Sequence, residues 1–104
     1  MTRRVGYSPH VREQLTDLYT WIANESGFPD RAEEYVTSIL DYCENLAIFP
    51  FVGTVRDDLR PGLRTLGFRK RVVIAFAVTQ ESVDVLGIYS GGRNYEDLLA
   101  AEET

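Results

Sequence analysis

Seven consecutive apolar residues, Val72-Val73-Ile74-Ala75-Phe76-Ala77-Val78, constrain this chain more than any other feature. The run is too short to span a bilayer, which takes about 18–20 residues, and it is rich in β-branched and aromatic side chains. It predicts a central strand covered on both faces, the kind that lies deep in a sheet. In 104 residues there is room for one such core, so the whole chain, 1–104, is expected to be a single domain.

The neighbouring patterns fill in the rest. Arg3 to Tyr7 can make a short strand. Ser8-Pro9 reads as an N-cap followed by proline at the first helical position. Val11, Leu15, Leu18, Tyr19 and Ile22 then share one helical face, and Gly27 supplies a left-handed stop. A second helix is expected from a capping box at Asp30-Arg31-Ala32-Glu33. Its apolar period (Ala32, Tyr35, Val36, Ile39, Leu40, Cys43, Leu46, Ala47) ends at Phe49-Pro50. A short connection makes the two helices an antiparallel hairpin.

Residues 50–62 read as a long loop, with Pro61-Gly62 as the centre of a type II turn. Strands are predicted over Leu63–Phe68, Val72–Thr79 and Val83–Tyr89, the last two joined by a short hairpin connection. Asn94 to Ala101 can form a short C-terminal helix with Tyr95, Leu98 and Leu99 inward. The expected order is β-α-α-β-β-β, an α+β fold with a helical hairpin on a mainly antiparallel sheet.

Charge is distributed unevenly. Residues 1–52 set four arginines against eight acids (−4), residues 53–93 set seven basic residues against four acids (+3), and the last eleven residues carry four acids. The middle segment is either a locally basic face or a set of solvated strand-edge charges. The overall charge of −5 argues against a chain built mainly to bind nucleic acid. With one histidine and one cysteine, a structural zinc site, a disulfide framework and any further metal or cofactor site are not expected. The opening MTRRVGYSPH has no apolar stretch for export, which points to the cytoplasm, and no membrane span is expected.

His10 reads as a surface residue and Cys43 as a small buried hydrophobe. No phosphate-cradling glycine motif occurs. Most of the twelve aromatic residues fall on core periods. Trp21 and Tyr42 leave the main stripes of their helices and form either a partner surface or rim packing.

Several segments together resemble a known family. Phe49-Pro50-Phe51-Val52-Gly53 follows the helical hairpin and leads into Arg56-Asp57-Asp58-Leu59-Arg60-Pro61-Gly62-Leu63-Arg64. The buried strand, Val83-Asp84-Val85-Leu86-Gly87-Ile88, Gly91-Gly92-Arg93-Asn94 and Asp97-Leu98-Leu99 come next. Over residues 3–99 the chain resembles the ParE branch of the RelE/ParE toxins of type II toxin–antitoxin modules.

That resemblance implies a small bacterial toxin that poisons DNA gyrase and is neutralised by a ParD-like antitoxin whose C-terminal segment wraps it. Arg56, Arg60, Arg64, Arg71 and Trp21 are then the expected antitoxin contacts, and Arg93, Tyr95, Leu98 and Leu99 the expected target contacts. The RelE branch implies a ribosome-dependent mRNA endoribonuclease instead, with Arg93, Arg69 and Arg71 as catalytic cations beside Lys70. The closing tyrosine of that branch is missing here, and Ser90 stands where many relatives of both branches have histidine. A third reading is a binding module without toxicity.

Overall fold

A computed structural model of the chain describes residues 2–90. The elements run β1 (Arg4–Tyr7), α1 (Pro9–Ser26), α2 (Pro29–Asn45), β2 (Thr54–Val55), β3 (Leu63–Phe68), β4 (Val72–Val78) and β5 (Ser82–Ser90). They form one sheet of order β1-β5-β4-β3-β2. Pairing is antiparallel throughout except at β1, which lies parallel to β5. The apolar run is β4, and it is central. The expected short C-terminal helix lies outside the described residues.

Helix α1 starts at Pro9 as expected, but Ser8 does not cap it. Its hydroxyl donates to the Leu86 carbonyl at 3.0 Å and its N–H to that of Val85, fixing the helix entry to β5. Gly27, at φ +75°, closes α1 in the left-handed conformation. The capping box at Asp30 is corrected by the structure. α2 begins one residue earlier, at Pro29, with Phe28 at the N-cap and no side-chain bond there. Proline fixes a helical φ and lacks the N–H that a cap would satisfy, so it starts the helix unaided. Asp30 then sits inside the first turn, facing the positive end of the helix dipole.

The hairpin packs Val11, Leu18, Ile39, Cys43 and Leu46 onto one sheet face, against Phe68, Val72, Ile74, Phe76 and the inward residues of β5. A bulge governs which residues of β5 those are. Ala75 pairs with Gly87 but Phe76 pairs with Val85, leaving Leu86 as the extra residue. Val85 and Ile88, three apart, therefore face the same side. The Ile88 N–H near this bulge donates to the Gln14 side chain of α1 at 2.8 Å.

The second face of the sheet holds a smaller cluster of Leu63, Ala75 and Tyr89, with Leu59 and Leu86 against it. Leu59 comes from the loop before β3. The central strand is thus covered on both sides, by helices on one and partly by a loop on the other. Residues 50–62 contain one element that the sequence does not announce: Thr54 and Val55 pair with Thr65 and Arg64 as a two-residue edge strand. Gly53 precedes it at φ +78°, so close to the Thr65 carbonyl that a side chain there would collide with backbone. Gly62, at φ +80°, sits in the expected turn, closed by the Leu63 N–H donating to the Arg60 carbonyl at 3.0 Å.

The aromatic residues need a second correction. Tyr7, Tyr19, Phe28, Phe49 and Phe51 are exposed, Phe49 by 72% and Phe51 by 64%; Trp21, off the stripe of its helix, is exposed as well. Phe49 and Phe51 lie past the end of α2, where the helical period no longer assigns a face. Tyr42, by contrast, packs on Phe68 at 5.6 Å between ring centroids.

Candidate functional site

The basic residues of the middle segment divide between the two ends of β3. At its start, Arg56 holds Asp58 with two bonds of 3.0 and 2.9 Å, which keeps the Asp58 carboxyl below its ordinary range. The Asp57 carboxylate accepts the Gly62 N–H at 2.8 Å, so this acidic pair shapes the turn around Arg60. Arg64 stands over the Phe51 ring at 5.3 Å and Arg3 does the same at 5.3 Å, with the Arg3 Nε also donating to the Thr79 carbonyl at 2.7 Å. Two guanidiniums thus flank one exposed ring.

At the far end, about 17 Å away for five strand steps, β3 turns into β4 through Arg69 and Lys70. Both residues have positive φ, +49° and +59°, and the turn is closed by the Arg71 N–H donating to the Phe68 carbonyl at 3.1 Å. Two left-handed central residues are the mark of a type I′ turn, which asparagine and glycine ordinarily supply. Here two long cations occupy it. Arg69 lies over the Phe68 and Tyr35 rings at 5.1 and 5.5 Å, and its guanidinium reaches the Ser38 hydroxyl at 3.4 Å.

Lys70 and Arg71 turn instead toward α1. With Trp21, Tyr35, Ser90 and an apolar floor of Leu18 and Ile22 they line a cleft of about 210 Å³. The Tyr35 hydroxyl oxygen is buried and has no hydrogen-bond partner among the described residues. Burial pushes its pKa up, while Arg69 and Arg71 act against that rise.

A larger apolar groove of about 780 Å³ runs along the helical hairpin. Tyr7, Val11, Leu15, Tyr19, Val36 and Leu40 are among the residues that line it. Tyr7 is held by its hydroxyl donating to the Glu44 carboxylate at 2.6 Å, and partial burial with this bond raises its pKa. Such a groove can seat the apolar face of a partner helix.

Of the antitoxin-facing residues expected from the sequence, Arg71 and Trp21 come together in the cleft, while Arg56, Arg60 and Arg64 lie at the opposite end of β3. Arg69 and Arg71, the described members of the ribonuclease set, point into different surroundings. Arg93, Tyr95, Leu98 and Leu99 lie outside the described residues. His10 is exposed at the start of α1. Among the described residues no group of three potential metal ligands converges, and no helix is long and apolar enough to cross a membrane.

Two features of the site leave no mark in the sequence. The helical period places Tyr35 on the core stripe, and nothing in its spacing marks an unpartnered hydroxyl. The tight turn was hidden because Arg69-Lys70 lacks the glycine or asparagine by which such turns are recognised.

Cys43 is fully buried, and its thiol is pushed up to about 12 by desolvation, with Glu44 adding to the rise. It should resist a disulfide reagent at pH 8 until the protein unfolds, and denaturant should release the reaction. Because the folded pKa exceeds the unfolded one, the thiol's contribution to stability is intact below about pH 9 and is lost as pH rises toward 12. Rapid stoichiometric labelling in native buffer would contradict this placement.

The family model of the ParE toxin of the type II toxin–antitoxin system, parDE, matches residues 5–95. Among solved structures, the chain is similar to one from a chromosomal ParDE toxin–antitoxin system of P. aeruginosa. The TM-score is 0.73 at 20% identity, covering 86% of this chain and 96% of that one. Comparison with curated protein sequences finds no match.

Proposed function

The chain belongs to the ParE toxin family of type II toxin–antitoxin systems, and from that membership we propose that it binds and poisons DNA gyrase and is held inactive by a ParD-like antitoxin in the cytoplasm. The apolar groove on the helical hairpin carries this reading. A groove of about 780 Å³ with apolar walls and exposed Tyr7 and Tyr19 at its margin fits a polypeptide partner. Buried anchors would supply most of the affinity of such a partner, and arginines mainly its register and rate of association. Arg56, Arg60, Arg64, Arg71 and Trp21 are the proposed antitoxin contacts. The proposed target contacts are Arg93, Tyr95, Leu98 and Leu99.

Binding without chemistry is sufficient for such a toxin, since holding one conformer of a larger machine halts its turnover. The surroundings of the described cations favour this over the ribonuclease reading. Arg69 is engaged by two rings and a hydroxyl. Arg71 shares its cleft with Tyr35, whose hydroxyl is kept in its protonated form by burial, so among the described residues no base stands beside the cation there.

Tightly controlled expression should arrest growth, and co-expression of the adjacent antitoxin gene should relieve the arrest. With purified components, the protein should inhibit supercoiling by gyrase and accumulate double-strand breaks, while message in a ribosome reaction stays intact. Site-specific mRNA cleavage with normal supercoiling would make it a ribonuclease. Unaffected growth at verified soluble expression would make it a non-toxic binding module.

A further inference from the structure

We propose that the cleft between α1 and the β3–β4 turn is a receptor for one acidic side chain of a partner polypeptide, an aspartate or glutamate flanked by apolar residues. Two independent observations meet there. Lys70 and Arg71 line the cleft, and among the described residues neither is in an ion pair, whereas Arg56 at the other end of β3 is paired with Asp58. The Tyr35 hydroxyl is buried in the wall without a partner, a costly state that a ligand oxygen between the two cations would relieve.

Size and lining select the ligand. At about 210 Å³ the cleft is smaller than the ~300–1,000 Å³ usual for small-molecule sites. It admits a side chain or two, not a nucleotide. Leu18, Ile22 and Trp21 line the same cleft as the cations, so the ligand needs hydrocarbon beside its charge. A nucleic acid would bring a row of phosphates against helices from the acidic half of the chain, which carries eight acids against four arginines. A single carboxylate on an apolar segment meets neither objection, and charge-assisted bonds to lysine and arginine are the strong ones. The proposal rests on the antitoxin reading only for the source of that segment.

Trp21 is the one tryptophan of the chain and lies 47% exposed at the cleft, so its emission reports occupancy directly. The probes are the peptide amide acetyl-Leu-Asp-Leu-Phe, its asparagine counterpart and inorganic phosphate, each titrated into the full chain. The aspartate peptide should shift Trp21 emission saturably. The asparagine peptide, and the aspartate peptide on Lys70→Gln/Arg71→Gln, should bind at least about tenfold more weakly. Tyr35→Phe, which keeps the ring, should weaken binding several-fold, while Arg31→Gln should change nothing. Thermal melts of all variants separate lost binding from lost fold. Equal affinity for the two peptides, no saturable response, or phosphate binding as tightly as the aspartate peptide would overturn the proposal. Because the peptides need no antitoxin, a positive result stands even if co-expression relieves no arrest.

Discussion

Replacing Ile74 with aspartate should cost on the order of 3–5 kcal/mol and leave the chain at or beyond the edge of folding. Ile74 is fully buried at the middle of β4, between Leu66 of β3 and Ile88 of β5, on the face that meets the helical hairpin. The two nearest positions on that face of β4, Val72 and Phe76, are apolar and buried. The new carboxylate would therefore find neither water nor a cation. Domains of this size are stable by only about 5–15 kcal/mol, so the loss would take a large share of the total. With ~4–8 °C of melting temperature per kcal/mol, a fall of more than ten degrees is expected. Ile74→Val removes one methylene and should cost only about 0.5–1.5 kcal/mol, which separates buried charge from lost volume. A melt of Ile74→Asp within a few degrees of the parent would mean that β4 is not the core.

The second large effect should come from a smaller change, Gly87→Ala. Gly87 lies beside the bulge in β5, and the buried Tyr89 ring lies directly over it. A single added methyl would overlap the Tyr89 hydroxyl and two ring carbons. The ring cannot simply swing aside, because it is packed with Leu63 and Ala75 on the second face of the sheet. Overpacking of this kind costs about 1–3 kcal/mol. The check is a double-mutant cycle with Tyr89→Ala. Alanine at 87 should be far less harmful once the ring is gone, and equal losses in both backgrounds would remove the contact from consideration.

Legibility followed from whether a signal was local. The 3.6-residue period names the helices because each must turn its apolar side chains one way, the unbroken apolar run names the strand covered on both faces, and β3, β4 and both helices are found close to where those signals place them. The Pro61-Gly62 turn was readable because glycine at positive φ is a local demand. Features decided by distant partners were not. Ser8 has the chemistry of a cap, yet its hydroxyl goes to Leu86, 78 residues away. The second strand has only two residues and exists through its pairing with β3. The bulge at Leu86 leaves no mark on the local pattern, although it decides which face Ile88 occupies. At the site, the sequence gives the charges but not their grouping: Arg71 and Trp21 meet across 50 positions of chain, while Arg64, near the start of β3, and Arg71, just past its end, face different neighbours.

The parallel pairing of β1 with β5 also has a consequence for synthesis. Arg4 to Tyr7 lie beside Ser82 to Val85, so the first strand has no place to go until the last has been made. At ~5–20 residues per second, a ribosome takes about 4–16 s to travel from one to the other. The helical hairpin, whose contacts are local, can form during that interval. Its apolar stripe, with Val11, Leu18 and Ile39, meanwhile has no sheet to cover it. The nascent chain therefore spends seconds as a sticky, incomplete body, and the finished surfaces on which any partner or target must act come into being together, near the end of translation.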